Sequence, residues 1–324
     1  CHCIVLFNPI LSGIKLSNLN SFLNKLISKK TSDGAPNKPI LFSGVKTSTP
    51  IFSAIKFAKF IIVVLDSPPR LYRLNFPFNK ILKIDEKNHQ VITEPGVITQ
   101  VLQDAVKEKG LFYPPDPASK GSCFIGGNVS ENSGGPKAVK YGVTKDYVLN
   151  LEVVLPTGEV IWTGANVLKN ATGYNLTQLM VGSEGTLAII TKIVLKLIPH
   201  PTHDLLMLVP FFDAQKACEA VAAIFQAGIT PSGLEFMERD ALIWTKEFMG
   251  ETSVPVADNH QAHLLIEVDG FDQEQLMLEC EKIFAVLENF ETDEILFADS
   301  EAQKTTLWSL RRKVAEAVKA QSIY

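Results

Sequence analysis

The sequence predicts an α+β fold in two parts, and two observations carry that prediction. Three glycine-rich turns sit between apolar, β-branched runs across residues 112–191, and after Pro199-His200-Pro201 strand-like and helix-like segments alternate. A chain of 324 residues has room for two domains. Its 46% hydrophobic and 20% charged residues suit a globular protein with a sizeable core.

Order in the pattern starts near Asn79. Ile81–Asp85 and Gln90–Glu94 read as strands around the polar turn Glu86-Lys87-Asn88. Thr99–Lys109 reads as a helix, with Val101, Leu102, Ala105 and Val106 at helical spacing and Gly110 as its stop. The turns follow: Gly126-Gly127-Asn128, Ser133-Gly134-Gly135 and Gly182-Ser183-Glu184-Gly185-Thr186. Glycine reaches positive φ and lets a ligand approach the backbone, and successive free N–H groups form anion-binding concavities. Pro114-Pro115-Asp116-Pro117 supplies a rigid wall, because each proline ring fixes φ. Leu149–Leu155 and Glu159–Trp162 flank the hairpin signal Pro156-Thr157-Gly158, and Leu187–Leu197 is a long β-branched run expected to be a buried strand.

Beyond Pro201, strands are expected at Asp204–Val209, Ser232–Met237, His263–Val268 and Ile295–Ala298. Ala214–Ala227 reads as a helix capped by Asp213 and stopped by Gly228, with an apolar stripe of Ala217, Cys218, Val221, Ile224 and Phe225. Glu274–Leu287 reads as a second helix, turning Leu276, Cys280, Ile283 and Leu287 inward. Ser300-x-x-Gln303 has the form of a capping box opening a last helix to about Ala320. Met207, Phe211 and Phe212 are expected in the core rather than against a ligand.

Charge is unevenly spread. Residues 1–83 hold 12 Lys/Arg and 2 Asp/Glu, whereas the whole chain has a net charge of −4. The overall balance argues against a nucleic-acid surface. The basic stretch reads either as an arm for anionic lipid or an acidic partner, or as an atypical segment, and the second reading is preferred. Ile61–Leu65 is too short to span a bilayer, which needs about 20 apolar residues. Cys1, Cys3, Cys123, Cys218 and Cys280 support no disulfide framework, which points to a reducing cytoplasm, with peripheral membrane attachment through the basic arm as the alternative. Cys1-His2-Cys3 lacks the second ligand pair of a zinc site. No G-x-G-x-x-G follows a strand and no P-loop occurs, so neither a Rossmann nor a Walker site is expected.

The ordered set YPPDP, IGGNVSENSGG, KYGVTKDYV and VGSEGTLAIIT resembles the FAD-binding domain of the vanillyl-alcohol-oxidase-type (PCMH-type) flavoproteins, in particular the glycolate oxidase FAD subunit and D-lactate dehydrogenase group. The resemblance runs from about Asn79 to Tyr324. It implies a two-subdomain FAD-binding domain over 1–203, atypical over 1–78, and a ferredoxin-like α/β cap domain over 204–324. It places Pro115, Asp116, Ser119, Ile125, Gly126, Gly127, Asn128, Asn132, Gly134 and Gly135 along the cofactor, with Tyr141, Gly142, Glu184, Gly185, Thr186 and Ile190. Ala188 stands where the family usually has glycine, and Asn175 where aspartate is common. The family's PRGAGTG-type phosphate loop has no counterpart upstream of Ile81, where Gly44 is the only glycine of the corresponding stretch. No histidine lies between His2 and His89, so the resemblance implies non-covalent FAD.

In this family a hydride passes from an alcohol carbon of a small 2-hydroxy acid to flavin N5, and the protein supplies orientation and electrostatics. The substrate carboxylate suits an arginine fork, and the resemblance points to Arg311 in Trp308-Ser309-Leu310-Arg311-Arg312-Lys313. The family's base and divalent-metal ligands lie in an H-x-G-D-G-N-type segment that this sequence does not contain, so a C-terminal truncation is expected. His200, His203, His260 and His263 do not match that segment and are expected to be packing or surface residues. The substrate expected is thus a D-2-hydroxy acid such as glycolate or D-lactate, with an unspecified electron acceptor and either a homodimer or partner subunits. Two rival readings remain open: a flavin-binding fragment without turnover, and an interaction module using the basic arm.

Overall fold

The computed structural model describes residues 78–250 and 253–321. The basic arm up to residue 77 and the stretch lacking a phosphate loop fall outside the described residues. In chain order the elements are β1 (Ile81–Asp85), β2 (Gln90–Thr93), α1 (Thr99–Lys107), β3 (Leu111–Phe112), α2 (Ile125–Glu131) and α3 (Ala138–Tyr141). Then come β4 (Val148–Val154), β5 (Val160–Trp162), α4 (Leu176–Met180), β6 (Ile189–Lys196), β7 (Ile198–Pro199) and β8 (His203–Phe211). The remainder is α5 (Ala214–Gln226), β9 (Gly233–Glu238), α6 (Arg239–Met249), β10 (Ala262–Gly270), α7 (Gln273–Leu287), β11 (Leu296–Phe297) and α8 (Glu301–Gln321).

The described chain forms two compact units. The first comprises residues 78–113, 120–133 and 144–198. Its sheet has the order β1-β2-β6-β4-β5, antiparallel at every pairing. β4 and β6 bury Leu151, Val153, Ile193, Val194 and Leu195 completely, as their near-continuous apolar runs require of central strands.

The second unit comprises residues 199–321 together with 114–119 and 134–143. Its sheet has the order β11-β8-β10-β9, again antiparallel throughout. That is the strand order of a ferredoxin-like βαββαβ sheet, here with α6 inserted between β9 and β10 and α8 added after β11. The two-residue period divides the sheet cleanly. Met207, Val209, Phe211, Leu264, Ile266 and Val268 face the core built with α5 and α7. Leu206, Leu208 and Leu265 face the opposite core, built with Leu242 of α6 and Leu307, Trp308 and Leu310 of α8. Gly233 makes room for the indole, since a Cβ there would lie 2.9 Å from Trp308 Cη2.

Most sequence expectations hold. Asp213 caps α5 by accepting from the Gln215 and Lys216 amides, and Leu276, Cys280, Ile283 and Leu287 of α7 are buried. Ser300 accepts from the Gln303 amide, while Gln303 reaches back to the Asp299 amide, one residue earlier than a capping box requires. Met207 and Phe211 are core residues and Phe212 is half-buried beside the His260 ring. Two expectations need correction. Cys218 and Phe225 lie on the solvent side of α5, because the buried stripe runs through Ala217, Ala220 and Ile224. Gly126-Gly127-Asn128 is not a turn but the interior of α2. Burial of Ile125 and Val129 one turn apart overrides the weak helix propensity of two glycines.

His263 of β10 is fully buried, and neither ring nitrogen has a hydrogen-bond partner. Its ring meets that of His260 edge-on at 5.2 Å between centroids. Burial, reinforced by His260, Lys246 and Arg239, lowers its pKa from 6.5 to about 4. The folded protein therefore resists protonation that the unfolded chain accepts, so stability falls as pH drops from 6.5 towards 4. The slope from this group is about 1.4 kcal/mol per pH unit. Urea melts over that range should show a flatter pH dependence for His263→Leu than for the wild type. Parallel profiles would mean that the imidazole titrates normally.

Candidate functional site: glycine turns in the two units

The residues assigned by resemblance to the cofactor fall in two sets. In the first unit, α2 ends at Asn132, a left-handed residue (φ 53°) whose side chain accepts from the Lys145 amide. The glycine turn at 182–186 is tied to that helix end: the Gly182 amide donates to the Val129 carbonyl and the Glu184 amide to that of Ser130, both at 2.9 Å. Gly182 stays close because even a Cβ there would press on Asn132 at 3.3 Å. Glu184 also has positive φ (53°), so two of the three non-glycine residues with that strain, among the described residues, lie in these adjoining turns. Glu184, Gly185 and Thr186 are exposed, whereas Ile190 is half-buried on β6. Ile125 and Asn128 are buried, and Asn128 Nδ2 is committed to Thr99 Oγ1 at 2.7 Å. Gly126 packs on Pro95, where a Cβ would come within 2.5 Å, whereas Gly127 is half-buried. Asn175 caps α4 by accepting from the Gln178 amide, a role it fills as well as aspartate would.

In the second unit, the proline wall and the second glycine turn are pressed together. Pro115 and Asp116 are buried and Ser119 is half-buried. A Cβ on Gly135 would lie 2.6 Å from the Asp116 backbone, whereas Gly134 has space for one. Asp116 Oδ1 accepts from the Lys137 amide, and Oδ2 pairs with Arg312 Nη2, both at 3.3 Å. The Arg312 guanidinium lies over the Trp308 ring at 5.3 Å. One residue earlier on α8, Arg311 is forked onto Glu235 of β9, through Nε at 2.6 Å and Nη2 at 2.5 Å.

Sequence reasoning missed a buried charge network beneath this turn. Lys137 Nζ reaches Glu267 Oε2 at 2.7 Å, Ser232 Oγ at 3.3 Å and Asp269 Oδ2 at 3.4 Å, matching its three donors. Asp269 Oδ1 accepts from Lys140 Nζ at 2.8 Å and from the Tyr141 hydroxyl at 2.7 Å. Burial opposes every charge here. It raises the Glu267 pKa, partly offset by Lys137. For Asp269, burial is outweighed by Lys137, Lys140 and Tyr141, and the pKa falls. For Lys137, burial is outweighed by the two carboxylates, and the pKa rises. Alternation on β10 is the one available signal, since His263, Glu267 and Asp269 fall on the same face.

The four histidines in question lie in four different settings. His200 Nδ1 lies 2.6 Å from the Pro201 carbonyl oxygen, and His203 is exposed at the start of β8. His260 Nε2 lies 3.0 Å from Asp293 Oδ2, and His263 is the buried ring described above. Among the described residues no group of three or more His, Cys, Asp and Glu could hold a metal ion, and no helix is long and apolar enough to cross a membrane.

The chain that carries these two arrangements matches flavin-binding and flavin-linked oxidase domain families in turn. The chain belongs to the FAD-linked oxidases. Residues 72–164 match the FAD binding domain family and residues 200–324 match the family of FAD linked oxidases, C-terminal domain. The glycolate oxidase subunit GlcD of Bacillus subtilis is 42% identical over 241 residues, 72% of this chain and 51% of that protein. D-lactate dehydrogenase of Anaerostipes hadrus is 39% identical over 248 residues, 76% of this chain and 52% of that protein. The chain thus spans about half the length of the curated relatives it matches. The structure of p-cresol methylhydroxylase with substrate bound superimposes with a TM-score of 0.58 at 20% identity, covering 73% of this chain and 50% of that one, a likeness of fold.

The two adjacent glycines separate packing from ligand contact. Gly126→Ala should cost about 1–3 kcal/mol in a thermal or urea melt, the usual cost of overpacking, through its clash with Pro95. Gly127→Val should leave a folded protein that no longer retains flavin. A folded Gly127→Val variant with unchanged flavin content would remove Gly127 from the site.

Proposed function

We propose that the protein is an FAD-dependent oxidoreductase that oxidises a D-2-hydroxy acid of the glycolate or D-lactate type to the 2-keto acid. Support comes from the paired family matches and from the relatives named as glycolate oxidase subunit and D-lactate dehydrogenase. The observation that carries the reading is the clasp of the glycine turn at 134–137 onto the wall at Asp116, an approach so close that a Cβ on Gly135 would lie 2.6 Å from the Asp116 backbone. We assign to FAD the sixteen residues that the resemblance gives, Pro115 through Ile190, with 1–203 as the cofactor domain and 204–324 as the substrate-side cap. The cofactor is held non-covalently.

Bound FAD supplies the hydride acceptor, at N5 of its ring system. The chain's own residues bind and orient. Glu235 occupies the Nε and Nη2 edge of Arg311 and so fixes its plane, leaving the Nη1 side of the fork to a substrate carboxylate. The hydroxyl proton must pass to a base as the hydride leaves. None of the four histidines described is assigned that role, and a base and a divalent metal belong to the whole protein's proposed machinery. The printed name of GlcD as a subunit supports assembly with partner polypeptides, a homodimer being the alternative.

The flavin reading is tested by acid precipitation, which should release free flavin to the supernatant; colour left in the pellet contradicts non-covalent binding. Anaerobic addition of D-lactate or glycolate should then bleach the flavin's visible absorption. Bound flavin that neither substrate bleaches would favour the fragment without turnover. Arg311→Lys should lower kcat/KM by roughly 2–4 kcal/mol in transition-state terms, because lysine cannot reproduce the fork, with flavin content retained. Unchanged kcat/KM for both substrates would reduce Arg311 to a structural partner of Glu235.

A further inference from the structure

The buried network in the second unit does more than neutralise Lys137. Asp269 receives donors from three positions of one short segment: Lys137, Lys140 and Tyr141. Lys140 Nζ also donates to the Asp269 carbonyl at 2.6 Å, so it grips the strand as well as its carboxylate. Asp269 is 3% exposed and lies on β10, paired with Asp204 of β8, in the interior of the sheet order. The segment it holds runs directly from the glycine turn at Gly134-Gly135 and closes at Gly142, which has φ 81°. The charges balance: two lysines against Glu267 and Asp269, and Arg312 against Asp116. Nothing in the family matches assigns a role to Asp269.

We propose that Asp269 is a positioning residue for the flavin, holding the Lys137–Tyr141 segment on the sheet and supplying the negative charge that keeps the segment's lysines from biasing the cofactor. This deepens the proposed function and rests on its assignment of Tyr141 and Gly142 to FAD. Two consequences follow from the chemistry. The first is geometric: the Tyr141 ring is steered by its hydroxyl, so loss of that hydrogen bond loosens the segment. The second is electrostatic: reduced flavin carries more negative charge than oxidised flavin, so an uncompensated lysine nearby favours reduction.

The experiment measures the FAD dissociation constant and the midpoint potential of the bound flavin in the full chain. Tyr141→Phe should weaken FAD binding about fivefold, the scale of one hydrogen bond, with the potential unchanged. Asp269→Asn keeps an oxygen acceptor for Tyr141 but removes the charge, and should move the potential positive. Adding Lys140→Met to Asp269→Asn should bring it back towards the wild-type value. A purely structural role predicts instead that the double variant is worse than either single one. Where Asp269→Asn does not fold, Lys140→Met alone must move the potential negative. Flavin-loaded Asp269→Asn and Lys140→Met proteins with the wild-type potential would overturn the proposal while leaving FAD binding intact. A wild-type protein that holds no FAD would overturn the functional reading and this inference together.

Discussion

Lys137 brings its ammonium to a nearly dry position on the ferredoxin-like sheet, and the arrangement around it depends on how that charge is met. An isolated buried ammonium would be costly enough to shed its proton. Here two carboxylates and a hydroxyl take its three donors, so the charged form is retained. Because Lys137 directly follows Pro136 and the Gly134-Gly135 turn, the same contacts fix where that turn lies. The turn in turn abuts Asp116, and Asp116 is anchored by Arg312, which stacks on Trp308, which fits over Gly233. One line of contacts therefore joins the sheet's packed face to the segments assigned to the cofactor. This explains why residues 114–119 and 134–143 associate with the second unit although residues 120–133 and 144–198 of the first intervene in sequence.

The two units achieve their turns by different physics. In the first, backbone carries the structure: α2 ends in a strained left-handed asparagine, and the turn at 182–186 borrows its last carbonyls. In the second, side chains carry it, with ion pairs from β9, β10 and α8. Backbone pairing is insensitive to pH, whereas the side-chain network is not. Asp269, with its lowered pKa, contributes stability above the ordinary aspartate range that is lost as pH falls through its folded value.

Much of this was legible in the sequence because it is local. Strand and helix periods, Asp213 and Ser300 at helix starts, and glycine spacing all act within a few residues. The order of four motifs carried the family. What stayed hidden is long-range. Lys137 and Asp269 are 132 positions apart, and nothing local to either announces the other. The helix at Ile125–Glu131 was concealed by its two glycines, the first of which is required by contact with Pro95 rather than by turn geometry. Arg311 was singled out from the sequence, but its partner Glu235 was not, since the pairing depends on α8 crossing β9.

The most direct test of this account is a double-mutant cycle between Lys137 and Glu267, using Lys137→Met, Glu267→Gln and the pair, read by urea unfolding. If the ammonium is held by its buried partners, each single change leaves an unmatched charge or acceptor, and the coupling should be about 2–3 kcal/mol. Additive single changes, with coupling near zero, would show that the two groups do not sense each other and that the turn is held by something else.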